Sequence, residues 1–438
     1  MEDHLSKLDK RLLSAARRAG ALADKRGVRL YLVGGIVRDI LLKKQSLDLD
    51  MVAEPIIFPS SKGRNPGPVP SIGGTGTWVE ADAMKFAKEL STILKARLVV
   101  YPQFKTASLS LSNGVRVDCA TARKETYPVS GALPVVEPGS LKEDLFRRDF
   151  TINALAVSLN KNSFGQLIDE YGGFRDLKSR TIRILHDKSF LDDPTRILRA
   201  VRFEQRFAFS IEPKTIGLLE RALKQECFCS VTAPRLFAEF KKILKEKDPV
   251  KCFTRLNQLN AMEFLAGAKQ INLEVFRRLN RRDFSQDSSA WLIYCMALME
   301  SISPPKKEQV LNKFPFTREE KQSLSQAGRL KTVWAALQKK DLTKSGVYAI
   351  LKPFSLDVVL YFLARAQEPM VRARIKRFLE KDSKVAVCLT GHDLKNLGVV
   401  VGKDIGLVLN ELLYRKIDKG YKTKAQERQW VKKYLKAL

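Results

Sequence analysis

The chain has 438 residues, 45% of them hydrophobic and 29% charged, and its 78 lysines and arginines against 48 aspartates and glutamates give a formal net charge of +30. That length supports roughly two to four domains with cores of their own, and six scattered cysteines, whose only close pair is Cys227-Phe-Cys229, exclude a zinc ribbon or disulfide framework as the expected staple. With neither the apolar stretch of a signal peptide at the start nor a run near the roughly 20 apolar residues of a membrane span, no membrane association is expected; a cytoplasmic protein that meets a polyanion is.

In chain order, residues 5–25 (LSKLDKRLLSAARRAGALADK) carry apolar residues at helical spacing and lead into a short β-rich run at 28–34 (VRLYLVG). Residues 55–77 contain five prolines and five glycines, which predicts an exposed, mobile loop rather than packed structure. A second helical pattern (81–94) precedes a second β-rich run (96–101). Residues 107–119 (ASLSLSNGVRVDC) alternate as a hairpin, with Asn113-Gly114 as its turn. After about residue 190 the pattern becomes long 3.6-residue periods with few strand signals, so a small α/β region precedes a mainly helical remainder. Charge follows the same division: residues 1–170 hold 25 basic against 19 acidic side chains, and residues 171–438 hold 53 against 29. A basic excess concentrated in the helical part suits a phosphate backbone, whose neutralisation releases condensed counterions.

The densest chemical signal is Leu-Val-Gly-Gly-Ile-Val-Arg-Asp at 32–39, followed ten residues after Arg38 by Asp48-Leu49-Asp50. Positions i and i+2 of a strand share a face, so Asp48 and Asp50 can offer two carboxylates to a pair of hard cations, the arrangement that two-metal phosphoryl transfer requires. Gly34 and Gly35, just after a strand, allow backbone N–H groups to approach phosphates, and Arg38 on the next helix adds positive charge. Asp118, on a strand able to lie beside the Asp48–Asp50 strand, is either a third catalytic carboxylate or an orienting one. Further along, Asp193 and Arg196 are three apart on a predicted helix and would share a face. As an acceptor beside a forked donor they could read the exocyclic amine and ring acceptors of C and A; the bland alternative is an i,i+3 salt bridge.

Taken together, these motifs resemble the polymerase β-like nucleotidyltransferase superfamily, and in particular the class II tRNA nucleotidyltransferase (CCA-adding enzyme) and bacterial poly(A) polymerase family. Arg147-Arg148-Asp149-Phe150-Thr151-Ile152-Asn153-Ala154 is similar to the family's RRDFTxNA motif, and Asp193-Pro194-Thr195-Arg196 to its base-recognition motif, which usually begins Glu-Asp where this chain has Asp192-Asp193. The resemblance implies an α+β protein: a polymerase β-like α/β head (1–170), a helical neck with the base-recognition motif (171–260), and helical body (261–380) and tail (381–438) domains that bind RNA. It implies Mg2+ held by Asp48 and Asp50, and CTP and ATP handled by Gly34, Gly35, Arg38, Arg148, Asp149, Asn153, Asp193, Arg196, Arg199 and Arg202. For Arg199 and Arg202, structural pairing is an equal alternative.

By the same resemblance, Ala122–Tyr127 through Leu133-Pro134 is the flexible element used for terminal A addition, Arg235 and Glu239 form a supporting pair at i,i+4, and Lys395, Lys403, Lys416 and Lys419 of the tail either grip tRNA phosphates or belong to a plain helical pair. Three histidines are too few for the HD phosphohydrolase domain of some relatives. The expected activity is template-independent addition of CCA, or part of it, to tRNA 3′ ends. The other readings are an A-adding or CC-adding specialist, a poly(A) polymerase, and an inactive RNA-binding protein.

Overall fold

The computed structural model describes residues 5, 8–44, 48–54, 56–59, 76–79, 83–102, 105–266, 273–277, 279, 289–399 and 402–436. The chain divides into two units, residues 1–239 and 240–438.

The first unit opens with helix α1 (Lys10–Arg26), where the Asp9 side chain caps the backbone N–H of Arg11 and Gly27, in the left-handed region, ends it. Its stripe of Leu12, Ala15, Ala16, Ala19 and Ala23 is buried, and a Cβ at Gly20 would stand 2.1 Å from the Leu159 carbonyl oxygen, so only glycine permits this helix its approach to the sheet. The elements that follow are β1 (Arg29–Val33), α2 (Gly35–Leu41), β2 (Asp48–Glu54), β3 (Ile56–Pro59), β4 (Gly76–Val79), α3 (Ala83–Leu94), β5 (Arg97–Tyr101), β6 (Thr106–Ser110), β7 (Arg116–Thr121), β8 (Arg123–Thr126), β9 (Val135–Pro138), α4 (Leu141–Phe146), β10 (Ala156–Ser158), β11 (Leu167–Ile168), α5 (Gly173–Lys178), β12 (Thr181–Ile182), α6 (Ser189–Asp192), α7 (Thr195–Phe207), β13 (Ser210–Ile211), α8 (Pro213–Lys224) and α9 (Ala233–Leu244).

Seven strands form one sheet in the order β11-β10-β1-β2-β7-β6-β5. Within it β2 and β7 are parallel, pairing Asp50 with Asp118, whereas β1–β2, β5–β6 and β6–β7 are antiparallel. The alternation expected of 107–119 is met: Ala107, Leu109, Val117 and Cys119 are buried, α3 packs on β6 and β7, and Gly114 takes positive φ in the turn. On the opposite face Tyr31, Val33 and Val52 pack with Leu141 and Leu145 of α4 and with Ala154. That face also carries Asp48 and Asp50.

The loop expected at 55–77 is partly corrected, because β3 and β4 pair as an antiparallel ribbon with Pro59 opposite Gly76; residues 60–75 lie outside the described residues. The expected mainly helical remainder is met, with one short strand, β13, pairing in parallel with β12.

The second unit is helical throughout its described residues. Helix Ala290–Glu300 is buried along nearly its whole length, and Phe253 and Phe314 pack on Phe240 with ring centroids 6.1 and 5.9 Å away. Near the C terminus the carboxylate of Glu427, fully buried, accepts from the backbone N–H groups of Cys388 and Leu389 and from Lys416 Nζ at 2.6 Å. Lys416 is thereby committed to structure, which corrects its expected availability to phosphates. The N–H groups before helix Gly391–Lys395 are engaged in a capping box between Thr390 and Asp393. Among the described residues no single helix is long and apolar enough to cross a membrane.

Candidate active site

The first unit contains a cleft of about 640 Å3 lined by Gly34, Gly35, Arg38, Asp50, Arg148, Asp149, Asn153, Asp193, Arg196, Arg199 and Arg202, together with Glu125, Tyr127, Arg147, Thr195, Phe203, Arg206, Arg235, Ala238 and Glu239. Eleven of the thirteen site residues expected from the sequence therefore meet in one cavity. Asp48 and Asp118 stand outside this lining, on the same sheet face as Asp50: one lies two residues before it on β2 and the other directly across from it on β7. Eight arginines against five carboxylates make the cleft cationic, as a polyphosphate ligand requires.

At its floor, Gly34 adopts φ 74° and ψ −129°, a region closed to side chains that carry Cβ. A Cβ there would also meet Arg148 Nη1 at 2.5 Å. The diglycine thus turns the chain from β1 into α2 and lets the Arg148 guanidinium lie directly on the backbone. Arg148 is aimed by Asp144, which accepts from Arg148 Nη2 at 2.7 Å and from Arg147 Nη2 at 2.7 Å. Asp144 is fully buried. Burial would raise its carboxyl pKa, but the two arginines outweigh burial and hold it below the ordinary carboxylate value. Sequence reasoning passed over Asp144; its signal was the i,i+3 and i,i+4 spacing to Arg147 and Arg148 across the end of α4.

Along one wall, Arg38 Nη1 donates to Asn153 Oδ1 at 2.6 Å, and Asn153 Nδ2 donates to Asp149 Oδ1 at 2.8 Å. Asp149 Oδ2 accepts from Arg199 Nε at 2.8 Å, and Arg199 Nη1 in turn donates to Glu239 Oε1 at 3.2 Å. Glu239 also pairs with Arg202 at 3.4 Å. Although burial pushes the Asp149 carboxyl upward, the Arg199 charge and the bonds from Asn153 and Arg199 bring it down to about 2. Arg199 and Arg202 are both ion-paired, and both also line the cleft. The expected Arg235–Glu239 pair is corrected: Glu239 serves Arg199 and Arg202, while Arg235 bonds Asp193 at 2.9 Å and the Gly131 carbonyl at 2.7 Å.

Beside these arginines, the start of α7 corrects the expected geometry of Asp193 and Arg196. Helix α7 begins at Thr195, and Asp193 precedes it in extended conformation. Its Oδ1 accepts from the Thr195 N–H at 3.1 Å, capping the helix start. The expected shared helix face is therefore absent, and so is the i,i+3 salt bridge. Arg196 instead donates to Ser189 Oγ at 2.6 Å and to the Arg147 carbonyl at 2.8 Å, which uses part of its five-donor fork. Tyr127, hydrogen-bonded to Glu125 at 3.0 Å, has its phenol pushed up to about 12 by burial and by the Glu125 charge. The segment leading on from Tyr127 is anchored at its tip, where the Gly131 N–H donates to the Leu191 carbonyl.

On the sheet, Asp118 accepts from Ser108 Oγ and from Arg116 Nε, the latter at 3.1 Å. Asp50 is exposed, yet the walls of the cleft strip part of its hydration. That desolvation, with the charges of Asp118 and Asp48, raises its carboxyl pKa against the opposing pull of Arg148. Among the described residues no group of three or more His, Cys, Asp or Glu side chains is placed to hold a metal ion, so a metal here would rest on two carboxylates. An open face of like-charged carboxylates is what a Mg2+ ion that keeps its waters and substrate phosphates as further ligands fits.

A family model described as "Poly A polymerase head domain" matches residues 30–183, and one described as "Probable RNA and SrmB- binding site of polymerase A" matches residues 208–269. An A-adding tRNA nucleotidyltransferase of Geobacter sulfurreducens is 32% identical over 419 residues, which cover 92% of this chain and 44% of that protein. This chain spans about half the length of the curated relatives it matches. Among solved structures, a CCA-adding enzyme in apo form II superposes with a TM-score of 0.76 at 32% identity, over 99% of this chain and 97% of that one. A Thermotoga maritima CCA-adding enzyme complexed with tRNA-CCA superposes with a TM-score of 0.71 at 31% identity, again over 99% and 97%. Agreement of that extent, with the diglycine turn, the paired aspartates and the arginine-lined cleft in their expected order, means that the chain belongs to the class II tRNA nucleotidyltransferase and bacterial poly(A) polymerase family.

Proposed function

We propose that this chain is a cytoplasmic, template-independent tRNA nucleotidyltransferase that adds CCA, or part of it, to tRNA 3′ ends from CTP and ATP. The observation that carries this is the placement of Asp50, opposite Asp118, in a cationic cleft that Asp193 and Arg196 also line. Asp48 and Asp50 would hold Mg2+, with Asp118 completing the carboxylate set. When bound, the metal lowers the pKa of the attacking 3′ hydroxyl and offsets charge on the triphosphate and on the departing pyrophosphate.

Everything else falls to the protein's own side chains. Arg148 over Gly34, and Arg38 beside Asn153, hold and orient the triphosphate through charge-assisted hydrogen bonds. Asp149 keeps Arg199 and Asn153 fixed, so the wall is organised before substrate arrives. Asp193 accepts from the exocyclic amine that C and A share, and the remaining donors of Arg196 address the base's acceptors. As neither residue is a nucleic acid base, selection needs no template. The division into head, neck, body and tail at 170, 260 and 380, with RNA binding by body and tail, belongs to the same proposal.

The name of the Geobacter sulfurreducens relative favours a second reading, an enzyme that adds only the terminal A. One assay tests both. The purified chain is incubated with tRNA transcripts ending at the discriminator base, at C and at CC, with labelled CTP or ATP. Growth of all three to CCA supports the first reading, and growth of the CC transcript alone supports the second. Long A tails assign a poly(A) polymerase, and failure to extend any transcript in Mg2+ refutes the enzymatic proposal.

A further inference from the structure

Sheet order dictates from which side the acceptor strand must come. The phosphate-facing groups, Gly34, Arg38 and Arg148, follow β1 or stand against its end, on the β1 side of the carboxylates of β2 and β7. In an in-line displacement the attacking oxygen and the leaving pyrophosphate lie on opposite sides of the α-phosphate. The attacking hydroxyl therefore enters from the other side, over β7, β6 and β5.

The register states which residues floor that approach. Asp118 lies across from Ser108 on β6, which lies across from Val99 on β5. Arg116, Ser110 and Arg97 form the neighbouring row, and Tyr101 closes the edge. Because side chains alternate across a strand, these residues share the face of Asp48 and Asp50. Whereas the opposite face of β6 and β7 is buried against α3, Val99 and Tyr101 remain 39% and 42% exposed, and the Arg116 guanidinium is about half exposed. Three strand spacings separate β2 from β5, roughly 14 Å, room for a short run of nucleotides.

We infer that this strip is the platform for the 3′-terminal nucleotides of the acceptor RNA, with Tyr101 stacking on a base and Arg97 and Arg116 meeting its phosphates. The inference rests on the proposed function and deepens it. Three features select single-stranded RNA as the occupant. An aromatic ring at an exposed edge accepts any base face. Two arginines complement the backbone charge. The strip is continuous with the carboxylates at which the terminal hydroxyl must end. Ser108 and Arg116 also hold Asp118, so docking of the strand and orientation of that carboxylate share the same side chains.

The test uses the full chain as wild type, Tyr101→Ala and Tyr101→Phe, with a tRNA transcript whose 3′-terminal nucleotide carries 2-aminopurine. Loss of one base–aromatic stack predicts that Tyr101→Ala raises KM for the RNA roughly tenfold, leaves KM for ATP and CTP within about twofold, and abolishes the quenching of 2-aminopurine on binding. Tyr101→Phe restores all three. An unchanged RNA KM with quenching retained in Tyr101→Ala overturns the platform. A change of sedimentation mass in Tyr101→Ala with RNA KM unchanged also overturns it, because the open β5 edge would then serve a second copy. If the wild type extends no RNA, the proposed function falls and quenching alone decides: its loss in Tyr101→Ala supports the platform, and its persistence overturns it.

Discussion

Replacing Asp149 by Asn keeps the shape of the side chain and removes the charge on which Arg199 closes. The carboxyl stands at about 2 in the folded chain against an ordinary 3.8, and that difference is worth about 2 kcal/mol of folding stability at pH 7. Because the folded-state value is depressed, the contribution is complete above the unfolded-state pKa and is lost as pH falls through the folded one. The stability difference between wild type and Asp149→Asn should therefore stay flat from pH 7 to about pH 5, fall to about half near pH 3 and vanish below about pH 2. Urea unfolding followed by circular dichroism at pH 7, 5, 4 and 3, with both proteins under identical conditions, reads it directly. Carboxylates remote from Arg199 titrate alike in both chains, so the difference reports on Asp149 and on Glu239, which shares Arg199 with it. A difference below about 0.5 kcal/mol at pH 7, or one that persists undiminished at pH 3, would show that Arg199 is not held by the Asp149 charge and that the wall is not organised in advance.

Gly34→Ala should be far more damaging than Gly35→Ala. At Gly34 the backbone is in a region alanine avoids and the new methyl meets Arg148 at 2.5 Å, whereas at Gly35 the nearest atom is the movable end of Arg38 at 3.5 Å; in the first variant KM for ATP should rise at least about tenfold, in the second about threefold or less, and equal effects would argue against the diglycine turn as the seat of Arg148. Arg235→Ala removes the link between Asp193 and the carbonyls of Gly131 and Ala132. Amide hydrogen exchange over residues 127–134 should accelerate at least about tenfold, with misincorporation of UTP and GTP rising, and unchanged protection there would refute the anchoring role.

What could be read from the residues alone was whatever local spacing encodes. Two aspartates at i and i+2, a diglycine after a β-rich run and an Asn-Gly between alternating segments each report a geometry a few residues long, and Asp48, Asp50, Gly34 and the β6–β7 hairpin stand where those patterns put them. Contacts settled by distant chain were beyond that reach. The β3–β4 ribbon joins strands sixteen residues apart whose composition, taken alone, reads as a loop. Arg235 has an i,i+4 partner on offer in sequence, Glu239, yet the partner it takes, Asp193, lies 42 positions away. Asp144 gave a local signal through its spacing to Arg147 and Arg148, but its importance comes from complete burial, which no short pattern announces.

The correction at Asp193 bears on how the proposed base selection would work. Had Asp193 and Arg196 shared a helix face, a single rigid helix would fix both, and the donor–acceptor edge would be one geometry for C and for A alike. Instead Asp193 sits in the turn before α7, tied to Thr195 and to Arg235, while Arg196 is tied to Ser189 and to the Arg147 carbonyl. Each half of the edge thus has its own anchor, and Arg235 connects the Asp193 half to the tip of the segment at 131–132. A displacement of that segment would act first on the Asp193 side chain. Side chains with separate partners can present more than one spacing to a base, which one protein edge must do if it is to accept a pyrimidine and a purine in turn, while the bond from the Arg196 N–H to the Asp193 carbonyl keeps their backbones together.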